Sequence, residues 1–150
     1  MKIQTRIQPS YKHIIPSTTM KAAVICGLLL LSSPLATHAD GVMKKQSDGS
    51  YVVRTTTICN ARGYRKGTPV EVMIKDNVVK KVTALKNEET VPYFARIKKY
   101  LLPLYENLKV GKAKKLTEKQ KVDGCTGATI SLKAVQKNIK AALDYYEKNK

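Results

Sequence analysis

The chain has 150 residues, with 28 lysines and arginines against 11 acidic residues (formal net charge +17), three cysteines, two histidines and no tryptophan. That length holds one domain, and with both histidines and Cys26 inside the N-terminal 39 residues, the remainder has only Cys59 and Cys125, too few ligands for a Cys/His zinc site. The charge favours anionic partners such as an acidic protein, a polyanion or an anionic membrane surface. Nucleic acid is disfavoured, because the cations are mostly lysine and are spread along the chain.

Residues 1–39 read as leader and signal peptide, and the segment from Met20 is complete by itself. Lys21 precedes the apolar run Ala22 to Leu31, which is too short to span a bilayer and is ended by Ser32, Ser33 and Pro34. Small residues follow, with a cleavage site after Ala39 and Thr37 at the minus-three position. Cys26 lacks the small residues before it that a lipoprotein site needs. Cleavage after Ala39 of the 150-residue chain leaves 111 residues, with 24 basic against 11 acidic ones, a surplus of 13. His13, His38 and Cys26 leave with the leader, which excludes a histidine-based triad. The expected location is extracytoplasmic, periplasmic or secreted. Export favours a disulfide between the two remaining cysteines, Cys59 and Cys125, although unpaired or structural thiols fit the sequence as well.

Residues 40–50 form a polar lead-in, and the domain is expected over 51–148. Tyr51 to Ile58 is rich in β-branched residues and predicts a strand. A loop with Gly63 and Gly67 follows. Val70, Val72 and Ile74 then alternate with Glu71, Met73 and Lys75, and Asp76-Asn77 makes a two-residue turn into Val78 to Leu85. Three antiparallel strands are expected. From Thr90 the period changes. Thr90 and Pro92 open a helix burying Phe94, Ile97 and Leu101, and Pro103 restarts it through about Leu108, where Gly111 closes it. Lys112 to Lys121 reads as a charged connector. The last helix spans Ser131 to about Glu147, with Val135, Ile139, Ala142 and Tyr146 on one stripe beside Leu132 and Leu143. The expected class is α+β: a small hairpin-based antiparallel sheet with helices packed on one face.

Between connector and last helix lies V-D-G-C-T-G-A-T-I-S, Val122 to Ser131. Gly127 permits a tight turn or positive φ, and Ala128 keeps bulk away. Thr129 to Ser131 carry the first free N–H groups of the helix, where a phosphate is favoured by those donors and by the helix dipole. Ordinary capping by threonine and serine accounts for the same residues.

The stretch Asp123 to Thr129 resembles the flavinylation motif of the FMN-binding domain family, in which an aspartate precedes Ser/Thr-Gly-Ala-Thr. That family includes the extracytoplasmic flavin subunits of the Rnf complex and of the sodium-pumping NADH:quinone reductase. The likeness extends over roughly Tyr51 to Tyr146: a strand ending near G-Y-R-K-G, the hairpin, an N-E-E turn, short helices, the motif and a closing helix. It implies that Thr129 accepts FMN as a phosphoester, taken from FAD by a flavin transferase with release of AMP. Asp123, Gly124, Thr126, Gly127, Ala128 and Ser131 would surround the cofactor, with Thr126 and Ser131 as alternative ester sites. Cys125 stands where an apolar residue is common, and Ile130-Ser131-Leu132 is less hydroxyl-rich than the family pattern. Tyr51, Tyr64 and Phe94 are candidates to contact the isoalloxazine, although core packing explains such aromatics too. Lys121 and Lys133 flank the motif and would favour an anionic reduced flavin.

With no catalytic set among its own side chains, the chain reads as an electron carrier, not a stand-alone enzyme, with redox donor and acceptor proteins as partners, membrane-bound ones included. Two alternatives stand beside this: a flavin redox module of an extracytoplasmic reductase complex, and a cofactor-free basic domain that binds polyanions.

Overall fold

A computed structural model of the protein describes residues 41–150. The leader and signal peptide expected over 1–39 lie outside the described residues. Four antiparallel strands pair in chain order: β1 (Met43–Lys45), β2 (Tyr51–Arg54), β3 (Val70–Lys75) and β4 (Val78–Ala84). The first is one more than the sequence suggests. It lies in the polar lead-in as a mostly exposed edge strand, so it carries no apolar alternation.

The hairpin forms as expected. Asp76 and Asn77 take φ of 53° and 60°, the two positive values that a two-residue turn matched to strand twist requires. Val70, Val72 and Ile74 are fully buried. In β4 the pairing passes from Ile74–Val79 to Met73–Lys81, leaving Lys80 as a bulge. That extra residue turns both Val79 and Val82 onto the buried face, although they are three positions apart. β2 ends at Arg54, earlier than its β-branched run predicts. The Thr55 N–H still donates to the Val70 carbonyl (3.0 Å), but the Val70 N–H donates to the Thr55 hydroxyl (2.8 Å), so a side chain takes over half of the next rung.

Helix α1 (Val91–Arg96) continues through a π turn (Ile97–Leu101) into a 3₁₀ turn (Leu102–Tyr105). Pro103 has no N–H to give the preceding turn, and the Leu102 N–H bonds to the Ile97 carbonyl, the wider spacing of a π turn. The shift brings Leu101, Leu102 and Tyr105 all into the core beside Phe94 and Ile97. Gly111 does not close this segment, contrary to expectation. Asn107 does so at φ 61°, and its N–H reaches the Val79 carbonyl at 2.8 Å. Gly111 instead lies in the first turn of α2 (Val110–Leu116), so the charged connector is helical in its first half, with Val110 and Ala113 buried. Helix α3 spans Thr129–Asn149. Its expected stripe is buried, and sheet, short helices and α3 share one hydrophobic cluster. Each fully buried aliphatic side chain contributes about 1.5–3 kcal/mol, so the shared cluster is what fixes the helices on one face of the sheet. Among the described residues no helix is long and apolar enough to cross a membrane.

Candidate functional site

The segment before α3 is two successive tight turns. The Cys125 N–H donates to the Val122 carbonyl (3.1 Å) and the Ala128 N–H to the Cys125 carbonyl (3.0 Å). Gly124 and Gly127, each third in its turn, both have φ of +81°, a value that only glycine adopts without strain. Cys125 and Ala128 point inward, each 3 % exposed, and anchor the turns in the core. Asp123, Thr126 and Thr129 therefore face solvent.

The α1 segment holds these turns from one side. Tyr100 covers Gly124 so closely that a Cβ there would stand 2.7 Å from its ring, and Tyr93 covers Gly127 at 3.0 Å. The Arg96 guanidinium donates to the Thr126 carbonyl at 2.6 Å and lies 5.7 Å from the centre of the Tyr93 ring. The buried Cys125 thiol, its pKa raised by burial against the smaller opposing effect of Arg96, donates to the Arg96 carbonyl at 3.8 Å. Cys59 lies elsewhere, 4.0 Å from the Lys137 carbonyl, and both thiols are free, so no disulfide joins them.

A cleft of about 400 Å³ opens where α3 begins. Its floor is Gly127 to Ser131, and its walls are Tyr64 and Tyr93, with Glu89 and Thr90 closing one end. A volume of this size lies in the range of about 300–1,000 Å³ usual for small-molecule and cofactor sites. Thr129 is exposed and is the first residue of α3, so its hydroxyl borders the cleft beside backbone N–H groups that have no partner within the helix. Such a floor suits a phosphate, and two tyrosine walls suit a flat ring.

Glu89 organises the end wall. Its Oε1 accepts from the N–H groups of Arg65 (2.8 Å) and Lys66 (3.1 Å), and its Oε2 accepts from the Tyr64 N–H (3.1 Å) and the Ser131 hydroxyl. The loop can wrap the carboxylate only because residue 63 is glycine: a Cβ there would lie 2.8 Å from the carboxyl group. Burial pushes the Glu89 pKa up, but the bonds from Ser131, Arg65, Lys66 and Tyr64 outweigh it and leave the pKa below its ordinary value. The Tyr64 N–H also reaches Ser131 Oγ at 3.2 Å, so loop, carboxylate and helix start are tied together.

Of the residues singled out in the sequence, Tyr64, Gly127, Ala128, Thr129 and Ser131 meet at the cleft. Asp123, Gly124 and Thr126 belong to the turns behind it and do not line it. Tyr51 is remote from it, packed edge-on against Tyr146 at 5.5 Å, and Phe94 is core. Lys121 does not line the cleft, and Lys133 lines a neighbouring groove instead. The sequence reading missed Glu89 and Tyr93. Glu89 stands in the N-E-E turn, and its pairing with the glycine-bounded loop at 63–67 is a long-range contact with no local signature. Tyr93 lies one residue before the buried Phe94, on the side of α1 that a core-seeking pattern ignores.

No curated protein and no solved structure matches the chain. The family model of the FMN-binding domain matches residues 63–144, a span that takes in the glycine-bounded loop, Glu89, Tyr93, the paired turns and most of α3. The chain belongs to the FMN-binding domain family and is an FMN-binding protein.

Proposed function

We propose that the protein is an exported electron carrier whose FMN is joined through its phosphate to the Thr129 hydroxyl. One observation carries this reading. Of the three hydroxyls in Thr126–Ser131, Thr129 alone is exposed and borders the cleft. Ser131 is buried and donates its proton to Glu89, and Thr126 does not line the cleft. A flavin transferase would join the FMN portion of FAD to Thr129 Oγ1, with AMP leaving. The N–H groups at the start of α3 and the positive end of its dipole then offset the charge of the phosphodiester. Tyr64 and Tyr93 flank the ring, and Glu89 orients Tyr64 through the loop it holds. The flavin, once bound, supplies one- and two-electron redox chemistry, which the side chains of this domain do not. Export is supported by the signal-peptide pattern that ends at Ala39, and a tether suits an exported carrier because a dissociated cofactor would be lost.

The test is in-gel flavin fluorescence with intact mass, on protein exported together with a flavin transferase. Wild type, Thr129→Ser and Ser131→Ala should each gain an FMN-sized mass and a denaturation-resistant fluorescent band, and Thr129→Ala should gain neither. Covalent flavin on Thr129→Ala would move the attachment elsewhere, and none on wild type would end the covalent mechanism.

A further inference from the structure

Beside the cleft lies a second and larger concavity, a groove of about 500 Å³ between α3, the residues after α2 and the loop that follows β2. Its lining is strongly one-signed. Arg62, Lys119, Lys133, Lys137 and Lys140 face it, against the single carboxylate of Glu118. Lys140 pairs with Asp144 at 2.9 Å, but among the described residues the other four cations make no ion pair. Elsewhere on this lysine-rich surface carboxylates are used to pair cations, as at Lys66–Glu88, Lys75–Asp48 and Lys114–Asp144. Here four of the five cations make no ion pair among the described residues, and they border a recess, where field lines concentrate.

The groove also adjoins the cofactor cleft. Ile130, 56 % exposed, lines both, so the ridge between them is one apolar side chain. An exposed apolar residue with a charged flank is how transient encounter surfaces are built: the charges steer and orient, and a small dry contact completes the dock.

We infer that the groove is the docking site for a short acidic segment of the protein that exchanges electrons with the cleft's cofactor. This rests on the proposed carrier function for the identity of the partner, though not for the binding itself. Geometry favours a protein segment over a membrane. Lys133, Lys137 and Lys140 lie on one face of α3 and span about 10 Å, the length of roughly three residues of extended chain. A flat bilayer cannot enter such a recess, whereas two or three carboxylates on one strand or loop can.

The experiment is a titration of the ¹⁵N-labelled, flavin-loaded protein with hexaglutamate peptide at low ionic strength, read by amide shifts. Saturable shifts should be confined to the groove and Ile130 and should vanish as salt is added. Lys133→Glu/Lys137→Glu should weaken binding by at least about tenfold, because two attractions become repulsions. Lys80→Glu/Lys81→Glu, the same charge change on the exposed part of β4, should leave it nearly unaltered. All four lysines are exposed, and dispersed amide spectra verify that each variant is folded. Shifts scattered over the whole basic surface, or equal loss in both double variants, would overturn the proposal. So would preferential binding of phosphatidylglycerol-rich vesicles that Lys133→Glu/Lys137→Glu abolishes while hexaglutamate does not bind, an outcome that assigns the groove to membrane. Flavin fluorescence on the same samples reports the carrier reading separately, since groove variants should keep their cofactor.

Discussion

Replacing Glu89 by glutamine tests whether this carboxylate holds the cleft together. The retained oxygen can still accept from Arg65 and Lys66, but an NH₂ group now faces the Tyr64 N–H, and the Ser131 hydroxyl must rotate to accept instead of donating. One charge-assisted bond is lost outright and the others become neutral, which costs about 2–3 kcal/mol, given about 1.5–3 kcal/mol for a hydrogen bond to a charged group. For a domain of this size that lowers Tm by about 10 °C. The pH dependence makes the test specific. Glu89 has its folded pKa below the ordinary 4.5, so its contribution is fully present above that value and is lost as pH falls through the folded pKa. The gap between wild type and Glu89→Gln should therefore be widest near neutrality and close on the acid side of 4.5. Thermal unfolding followed by circular dichroism across that range measures it. A gap that stays constant with pH, or no gap at all, would refute the assignment of the carboxylate as the organising charge.

Glycine substitutions separate backbone strain from collision. Gly49→Ala adds a Cβ at φ +81° in open space and should cost about 1 kcal/mol, whereas Gly124→Ala adds it 2.7 Å from the Tyr100 ring and should cost clearly more. Adding Tyr100→Ala should recover the excess, read as a non-additive cycle in urea unfolding. Asn77→Gly should raise stability by about 0.5 kcal/mol, because glycine takes the observed φ of 60° more readily and keeps the backbone bond from Val110. Lys114 bridges α2 to Asp144 (2.6 Å) and Glu147 (2.8 Å) on α3, so Lys114→Ala should cost about 0.5–1 kcal/mol, an effect that added salt reduces. The bond that Lys114 donates to Asp144, then that to Glu147, raises the lysine's pKa, so this contribution is present at neutral pH and fades as alkaline pH deprotonates the lysine.

Much of this architecture is readable where one physical signal dominates. Alternation from Val70 to Ile74 and a turn of two residues that tolerate positive φ fix the hairpin, and the spacing of Val135, Ile139, Ala142 and Tyr146 fixes α3. The failures have identifiable causes. β1 is an exposed edge strand whose pairing leaves no trace in hydrophobicity, and β2 stops early because the Thr55 hydroxyl accepts the Val70 N–H in place of a backbone carbonyl. Gly111 and the lysines after it look like punctuation and linker, yet Val110 and Ala113 find the core once Asn107 has turned the chain. At the site, the glycines and Thr129 are legible because turn geometry and a helix start are local. Glu89 is not, since its partners come from two distant stretches of chain, Tyr64 to Lys66 and Ser131, and lysines close to the motif in sequence need not face its cleft.

The construction of the cleft bears on why a cofactor here would be tethered. Its largest apolar groups are turned substantially toward water: Tyr64 is 72 % exposed, Ile130 56 % and Tyr93 45 %. Sites that hold a cofactor by contacts alone bury most of its surface, roughly 70–90 % for a drug-sized ligand. Walls this open hold a flat ring loosely, and on the proposed reading the bond at Thr129 makes that weakness harmless, since the walls need only orient the ring. The same openness keeps the ring within reach of a partner, which a deeply enclosed site would prevent. The rigidity that orientation demands is supplied from behind. Cys125 and Ala128 anchor the turns, Tyr93 and Tyr100 press on their glycines, and Glu89 fixes loop to helix start. An open face on a firmly braced floor is what a carrier needs, because it must present its cofactor outward without letting it wander.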